Sequence, residues 1–115
     1  MLFICYPKCT TCQKAKAYLD SKKLSYEQRD IKENNPSYDE LKKWLSVSGL
    51  PVKRFFNTSG LLYKELELKD KVPTMSDDEC LKLLATNGML VKRPLFIGEN
   101  FVLVGFKIEE WNVIT

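Results

Sequence analysis

Residues 5–20 read CYPKCTTCQKAKAYLD, and the reading of this stretch decides the fold. Just upstream, LFICY (residues 2–6) is a short apolar run of the kind a buried strand makes, and Pro7 ends it. From Thr10 the period changes: Cys12, Ala15, Lys16 and Leu19 recur at helical spacing, which predicts a helix to Ser21 or Lys22. The stretch is therefore a strand–turn–helix, with Cys9 and Cys12 at the junction.

Three of the four cysteines, Cys5, Cys9 and Cys12, fall within this segment. They could be metal ligands, a structural staple, a redox pair or small hydrophobes. The chain contains no histidine, which removes the usual zinc partner of cysteine and any Cys–His nucleophilic pair. Zinc ribbons carry two separated C-x-x-C pairs, whereas this chain has one, so no metal is expected. C-T-T-C places two sulfurs on consecutive helical turns, where they can meet as a disulfide or part as thiols. A helix N-terminus offers free N–H groups and positive potential, which lower the pKa of a thiol placed there. Lys8, the adjacent residue, can add to that potential. Cys9 is accordingly read as the activated thiolate and Cys12 as the resolving thiol. Two apolar fillers at a helix start remain the plain alternative. Cys5 is read as strand core and Cys80 as a buried helical residue.

Downstream, LSYEQRDI (24–31) alternates imperfectly and is read as a strand. Ser37 and Glu40 form a capping box for a helix that Gly49 closes. VKRFFN (52–57) reads as a short helix or turn, and residues 61–68 as helical. Ser76 and Glu79 form a second capping box, for a helix closed by Gly88. After Pro94, LFI (95–97) and FVLVGF (101–106) make a hairpin about GEN, and KIEEWN is a final helix. Trp44, Phe55 and Phe56 are read as core.

Net charge is +3 from 18 basic and 15 acidic residues, too mild and too mixed to predict nucleic-acid binding. Nothing approaches a membrane span, and the N-terminus lacks the features of a signal peptide. A monomer in a reducing, cytoplasmic compartment is expected, where stable structural disulfides are uncommon.

Three blocks, YPKCTTCQKAKAYLD, FFNTSGLLYKEL and GMLVKRPLFIGENFVLVGFKIEEW, together resemble the arsenate reductase (ArsC)/Spx family over essentially the whole chain. The reductase-like branch is the nearer likeness. The resemblance implies an α/β fold: a thioredoxin/glutaredoxin-like mixed sheet (residues 1–32 and 91–115) with an inserted all-helical subdomain (33–90), in one domain. It further implies a cis peptide bond before Pro94, and Arg93 placed beside Cys9 as a fixed positive charge.

Family arsenate reductases surround the nucleophile with several arginines. By alignment two of those positions fall at Asn57 and Gly105, and only Arg93 keeps its place. Arg54 lies three residues from Asn57 without matching it. The expected function is thus a thiol-dependent oxidoreductase with a redox-active Cys9–Cys12 disulfide and doubtful arsenate activity. Its substrate would be a small-molecule or protein disulfide; glutathione, glutaredoxin or thioredoxin would donate electrons, with no bound cofactor. The alternative is an Spx-like redox-sensing regulator that binds the C-terminal domain of the RNA polymerase alpha subunit.

Overall fold

The computed structural model describes residues 1–113. Its element order is β1 (Leu2–Cys5), α1 (Thr10–Ser21), β2 (Glu27–Asp30), α2 (Tyr38–Ser48), α3 (Leu61–Glu65), α4 (Leu68–Lys71), α5 (Asp77–Leu84), β3 (Leu95–Ile97), β4 (Val102–Val104) and α6 (Ile108–Asn112). One mixed sheet runs β2-β1-β3-β4, with β1 parallel to β2 and antiparallel to β3, and β3 antiparallel to β4.

The two-residue period of the strands sorts their side chains onto two faces. Phe3, Cys5 and Phe96 point to one cluster, shared with Cys12, Ala15 and Leu19 of α1 and Trp111 of α6. Ile4, Leu95, Val102 and Val104 point to the other, shared with Leu41 and Trp44 of α2 and Leu81 and Leu84 of α5. The apolar first strand is continuous because both of its faces are covered. Trp44, Phe55 and Phe56 are core, as expected.

Local capping signals are realised at three helix ends. Ser37 with Glu40 and Ser76 with Glu79 form reciprocal capping boxes, and Gly49 closes α2 at φ 68°. Elsewhere the expected boundaries move. The strand expected at 24–31 shortens to Glu27–Asp30, because Lys23 turns left-handed (φ 56°) and the chain is still leaving α1. The helix expected over 61–68 breaks into α3 and α4 at Glu67 (φ 56°), which lets Leu68 turn inward. Gly88 does not close α5, which ends at Leu84. It opens a 3-10 turn so tight against β2 that a Cβ there would lie 1.8 Å from the Ile31 carbonyl oxygen. The last strand stops at Val104, because Gly105 adopts φ 76°.

Arg29 of β2 clamps α2. Its guanidinium donates to both Glu40 carboxylate oxygens, at 2.7 and 2.9 Å, and to the Asn34 and Asn35 carbonyls. The guanidinium foremost holds the Glu40 pKa at about 2, below its ordinary 4.5. A lowered folded-state pKa adds stability that is complete above 4.5 and drains away as pH falls towards about 2. The carboxylate is 36% exposed, so the pair sits at the solvated, modest end of such interactions. Glu40→Gln should cost about 1 kcal/mol at pH 7. Urea midpoints of the two proteins should converge between pH 7 and pH 3; a constant gap would refute the linkage.

Candidate active site

The site begins with Cys9, the N-cap of α1. The β1–α1 turn is closed by Cys9 N–H donating to the Tyr6 carbonyl at 2.9 Å, which sets the cysteine at the mouth of the helix. No acidic residue lies in the first turn of α1, whereas α2 and α5 each carry two or more there. The positive end of this helix is thus left uncompensated on the sulfur.

Partial burial is the largest single influence on the Cys9 thiol, and it raises the pKa. It is outweighed by hydrogen bonds from the Cys12 N–H, the Cys12 thiol, the Arg93 guanidinium and the Thr11 N–H, so the pKa falls below 9.0. Lys8 is exposed and does not line the cleft, and the cation that bonds the Cys9 sulfur is Arg93.

Cys12 lies behind Cys9 and is 1% exposed. Its sulfur accepts from the Tyr6 N–H at 3.3 Å. Hydrogen bonding to Cys5, with burial next, pushes the Cys12 thiol well up from the ordinary range. The two motif cysteines are therefore differentiated: Cys9 is half-buried with its pKa lowered, and Cys12 is buried with its pKa raised. All four cysteines are free. Cys80 packs in the helical cluster across the sheet from Cys12.

Arg93 precedes Pro94 through a cis peptide bond. Its guanidinium carbon stands 5.2 Å from the Tyr6 ring centroid, a cation–π contact, and its Nη1 is buried without a hydrogen-bond partner. The Arg93 guanidinium thus lies beside Cys9 with donor capacity unused among the described residues.

Cys9 opens into a cleft of about 430 Å³ that, among the described residues, no carboxylate lines. Four cationic residues border it: Arg54, Lys92, Arg93 and Lys107. Sequence reasoning retained only Arg93. The others converge through long-range pairing. Phe56 bridges Val91, Lys92 N–H donates to the Phe55 carbonyl at 2.8 Å, and Asn57 N–H donates to the Leu90 carbonyl at 2.8 Å. These ties lay the 3-10 turn Val52–Phe55, with Arg54, alongside Lys92 and Arg93. Gly105 is similarly explained. A Cβ at 105 would lie 3.1 Å from Lys92 Cε, so the lysine stem occupies the space that a side chain there would need. Arg54 and Lys92 thus line the same cleft as Asn57 and Gly105. Asn57, 8% exposed, presents a neutral amide whose oxygen accepts from Ser59 Oγ at 3.4 Å.

Among the described residues, no group of three or more His, Cys, Asp or Glu is arranged to hold a metal, and no helix is long and apolar enough to cross a membrane.

A four-stranded mixed sheet with C-x-x-C at the first helix N-terminus, and a cis Arg93–Pro94 bond whose arginine lies beside Cys9, defines a thiol redox protein of thioredoxin-like fold. Comparison with known proteins narrows the class. The ArsC family model matches residues 5–114, and the chain belongs to that family. It is 49% identical over 112 residues to YusI of Bacillus subtilis (strain 168), covering 97% of this chain and 95% of that protein. It is 28% identical over 102 residues to the global transcriptional regulator Spx 2 of Bacillus anthracis, covering 89% of this chain and 76% of that one. An ArsC family related protein from Bacteroides fragilis superposes with a TM-score of 0.97 at 58% identity, over 99% of this chain and 96% of the other. A possible arsenate reductase from Streptococcus mutans UA159 does so with a TM-score of 0.88 at 46% identity, over 96% of each chain.

Proposed function

We propose that this chain is a thiol–disulfide reductase for anionic disulfides, with Cys9 as nucleophile, Cys12 as resolving thiol and Arg93 as anion anchor. One observation carries the reading: Cys9, its pKa lowered, opens into a cleft bordered by Arg54, Lys92, Arg93 and Lys107, with the buried Cys12 behind it.

The Cys9 thiolate attacks one sulfur of the substrate disulfide, forming a mixed disulfide and expelling the first substrate thiolate. Cys12 then attacks the Cys9 sulfur; its proton passes to the second departing thiolate, and a Cys9–Cys12 disulfide remains. An external thiol or dithiol of the glutathione, glutaredoxin or thioredoxin type restores the reduced pair. Arg93, which lines this cleft, holds the substrate anion during both steps. Arsenate is less well served. A tetrahedral oxyanion is best clamped by several planar guanidinium forks, and here Asn57 and Gly105 stand at two of those places.

Cys12→Ser should accumulate a stable glutathione adduct on Cys9 when treated with oxidised glutathione, whereas the wild type should pass through it to the internal disulfide. Intact-mass and peptide analysis reads the result. No adduct at Cys9, or wild-type turnover by the variant, overturns the assignment. Arsenate offered with the same thiol donors should give no reduction above background.

A second reading rests on the match to Spx 2. In it, the redox state of the same pair sets affinity for the RNA polymerase alpha C-terminal domain. Pull-downs with reduced and oxidised chain separate the two: retention in one state alone favours the regulator, and retention in neither eliminates it.

A further inference from the structure

Cys5 is core, 2% exposed at the end of β1. Its sulfur nevertheless has polar company. Gln28 of β2, two positions diagonally across the parallel ladder, sends its side-chain amide to Cys5 Sγ at 3.5 Å. Strand alternation places Cys5 on the α1 face of the sheet, where it packs in one cluster with Cys12, and Cys9 closes over the cluster's edge. The Cys12 sulfur accepts at 3.3 Å from the N–H of Tyr6, the residue next to Cys5, and lies in the buried cluster that holds Cys5 and that Cys9 packs against. A disulfide between Cys9 and Cys12 would therefore have a third sulfur in the same buried cluster as its inner atom. A hydrogen-bond donor on that third sulfur favours its ionised form, which is the attacking species.

We infer that Cys5 is a third working thiol, which takes Cys12 over from Cys9 and moves the disulfide inward to a buried Cys5–Cys12 position. This step rests on the Cys9–Cys12 chemistry proposed above. The Cys5 thiolate bonds to Cys12 Sγ as the Cys9–Cys12 bond breaks, and the electron pair leaves on Cys9. Cys5 is oxidised, Cys9 is reduced, the Cys5 proton ends on Cys9 or in solvent, and no outside oxidant is consumed. The oxidised chain then presents a free thiolate in its cationic cleft while its disulfide lies out of reach of bulky thiols. Such a chain can capture a second anionic disulfide before the first oxidation has been discharged.

The sequence makes the step easy to read. Trypsin cuts after Lys8 and Lys14, so Cys5 leaves on peptide 1–8 while Cys9 and Cys12 leave together on peptide 9–14. Wild-type protein is oxidised with oxidised glutathione, quenched in acid, alkylated, digested and mapped by tandem mass spectrometry. The expected main product is peptide 1–8 joined to peptide 9–14 through Cys12, with Cys9 alkylated. Cys5→Ala should leave only the disulfide internal to 9–14. Cys9→Ser should form no Cys5–Cys12 link with this oxidant, because entry is through Cys9. An internal 9–14 disulfide with Cys5 alkylated in the wild type overturns the relay and leaves the reductase reading standing. A link through Cys9, or a Cys5–Cys12 link formed equally well in Cys9→Ser, also overturns it. A fully alkylated 9–14 peptide sinks both.

Discussion

Cys9→Ser is expected to reduce exchange with oxidised glutathione by about 10³-fold or more, to the level of the uncatalysed reaction. A serine hydroxyl cannot take over, since nothing at the helix start acts as a general base for it and the chain has no histidine. The pH profile supplies a sharper test than the loss alone. Thiolate is the attacking form, so the wild-type rate should rise with pH through the Cys9 pKa and level off above it. Because that pKa is lowered, the midpoint should fall below 9.0. Removing Arg93 takes away one hydrogen bond to the ionised sulfur, so Arg93→Gln should move the midpoint upward and also weaken substrate binding. Lys8→Gln, by contrast, should leave the midpoint where it is, because Lys8 is exposed and outside the cleft. Stopped-flow exchange rates across pH measure all three. A wild-type midpoint at 9.0, or a Cys9→Ser protein that exchanges normally, would falsify the assignment of Cys9.

What could be read in advance divides by distance along the chain. The C-T-T-C junction, both capping boxes and the αL cap at Gly49 are local, each complete within a few residues, and the structure realises them. The ring of charge about Cys9 was not legible, because Arg54 reaches it through the Phe56–Val91 bridge and Lys92 reaches it over Gly105. No short-range pattern announces either contact. An alignment position is a poor guide here, since a cation can enter the same space from another segment, as Arg54 does from the 3-10 turn Val52–Phe55. Cys5 lies between these cases. Its burial followed from the apolar run, while its contact with Cys12 needed two periods combined. Phe3 and Cys5 share one strand face, and Cys12, Ala15 and Leu19 share the α1 stripe laid over it. The shifted ends of α5 and β4 have one cause each, a close approach at Gly88 and a left-handed residue at Gly105, and both depend on packing that local propensity does not record.

Trp111→Ala should cost about 3–5 kcal/mol, a large part of the stability of a domain this size. The indole is fully buried. It stacks on Phe96 at 5.1 Å and meets Phe106 edge-on at 5.0 Å and Phe3 edge-on at 6.4 Å. Its Nε1–H donates to the Gly105 carbonyl at 3.1 Å, which joins the second core to the floor of the cleft. The five-residue α6 is too short to persist without such an anchor, and Lys107, its N-cap, borders the cleft. Loss of the indole should therefore loosen the cationic rim as well as the core. Trp111→Phe separates the two roles. It keeps most of the ring contact but leaves the Gly105 carbonyl unpaired, at a cost of about 1–3 kcal/mol. Its KM for an anionic disulfide should rise more than its kcat falls, because the substitution moves the charge that binds substrate and spares the sulfurs that react. Urea unfolding with steady-state kinetics on both variants measures this. A Trp111→Ala midpoint within error of wild type would refute the anchoring role, and equal proportional changes in KM and kcat for Trp111→Phe would refute the link to the rim.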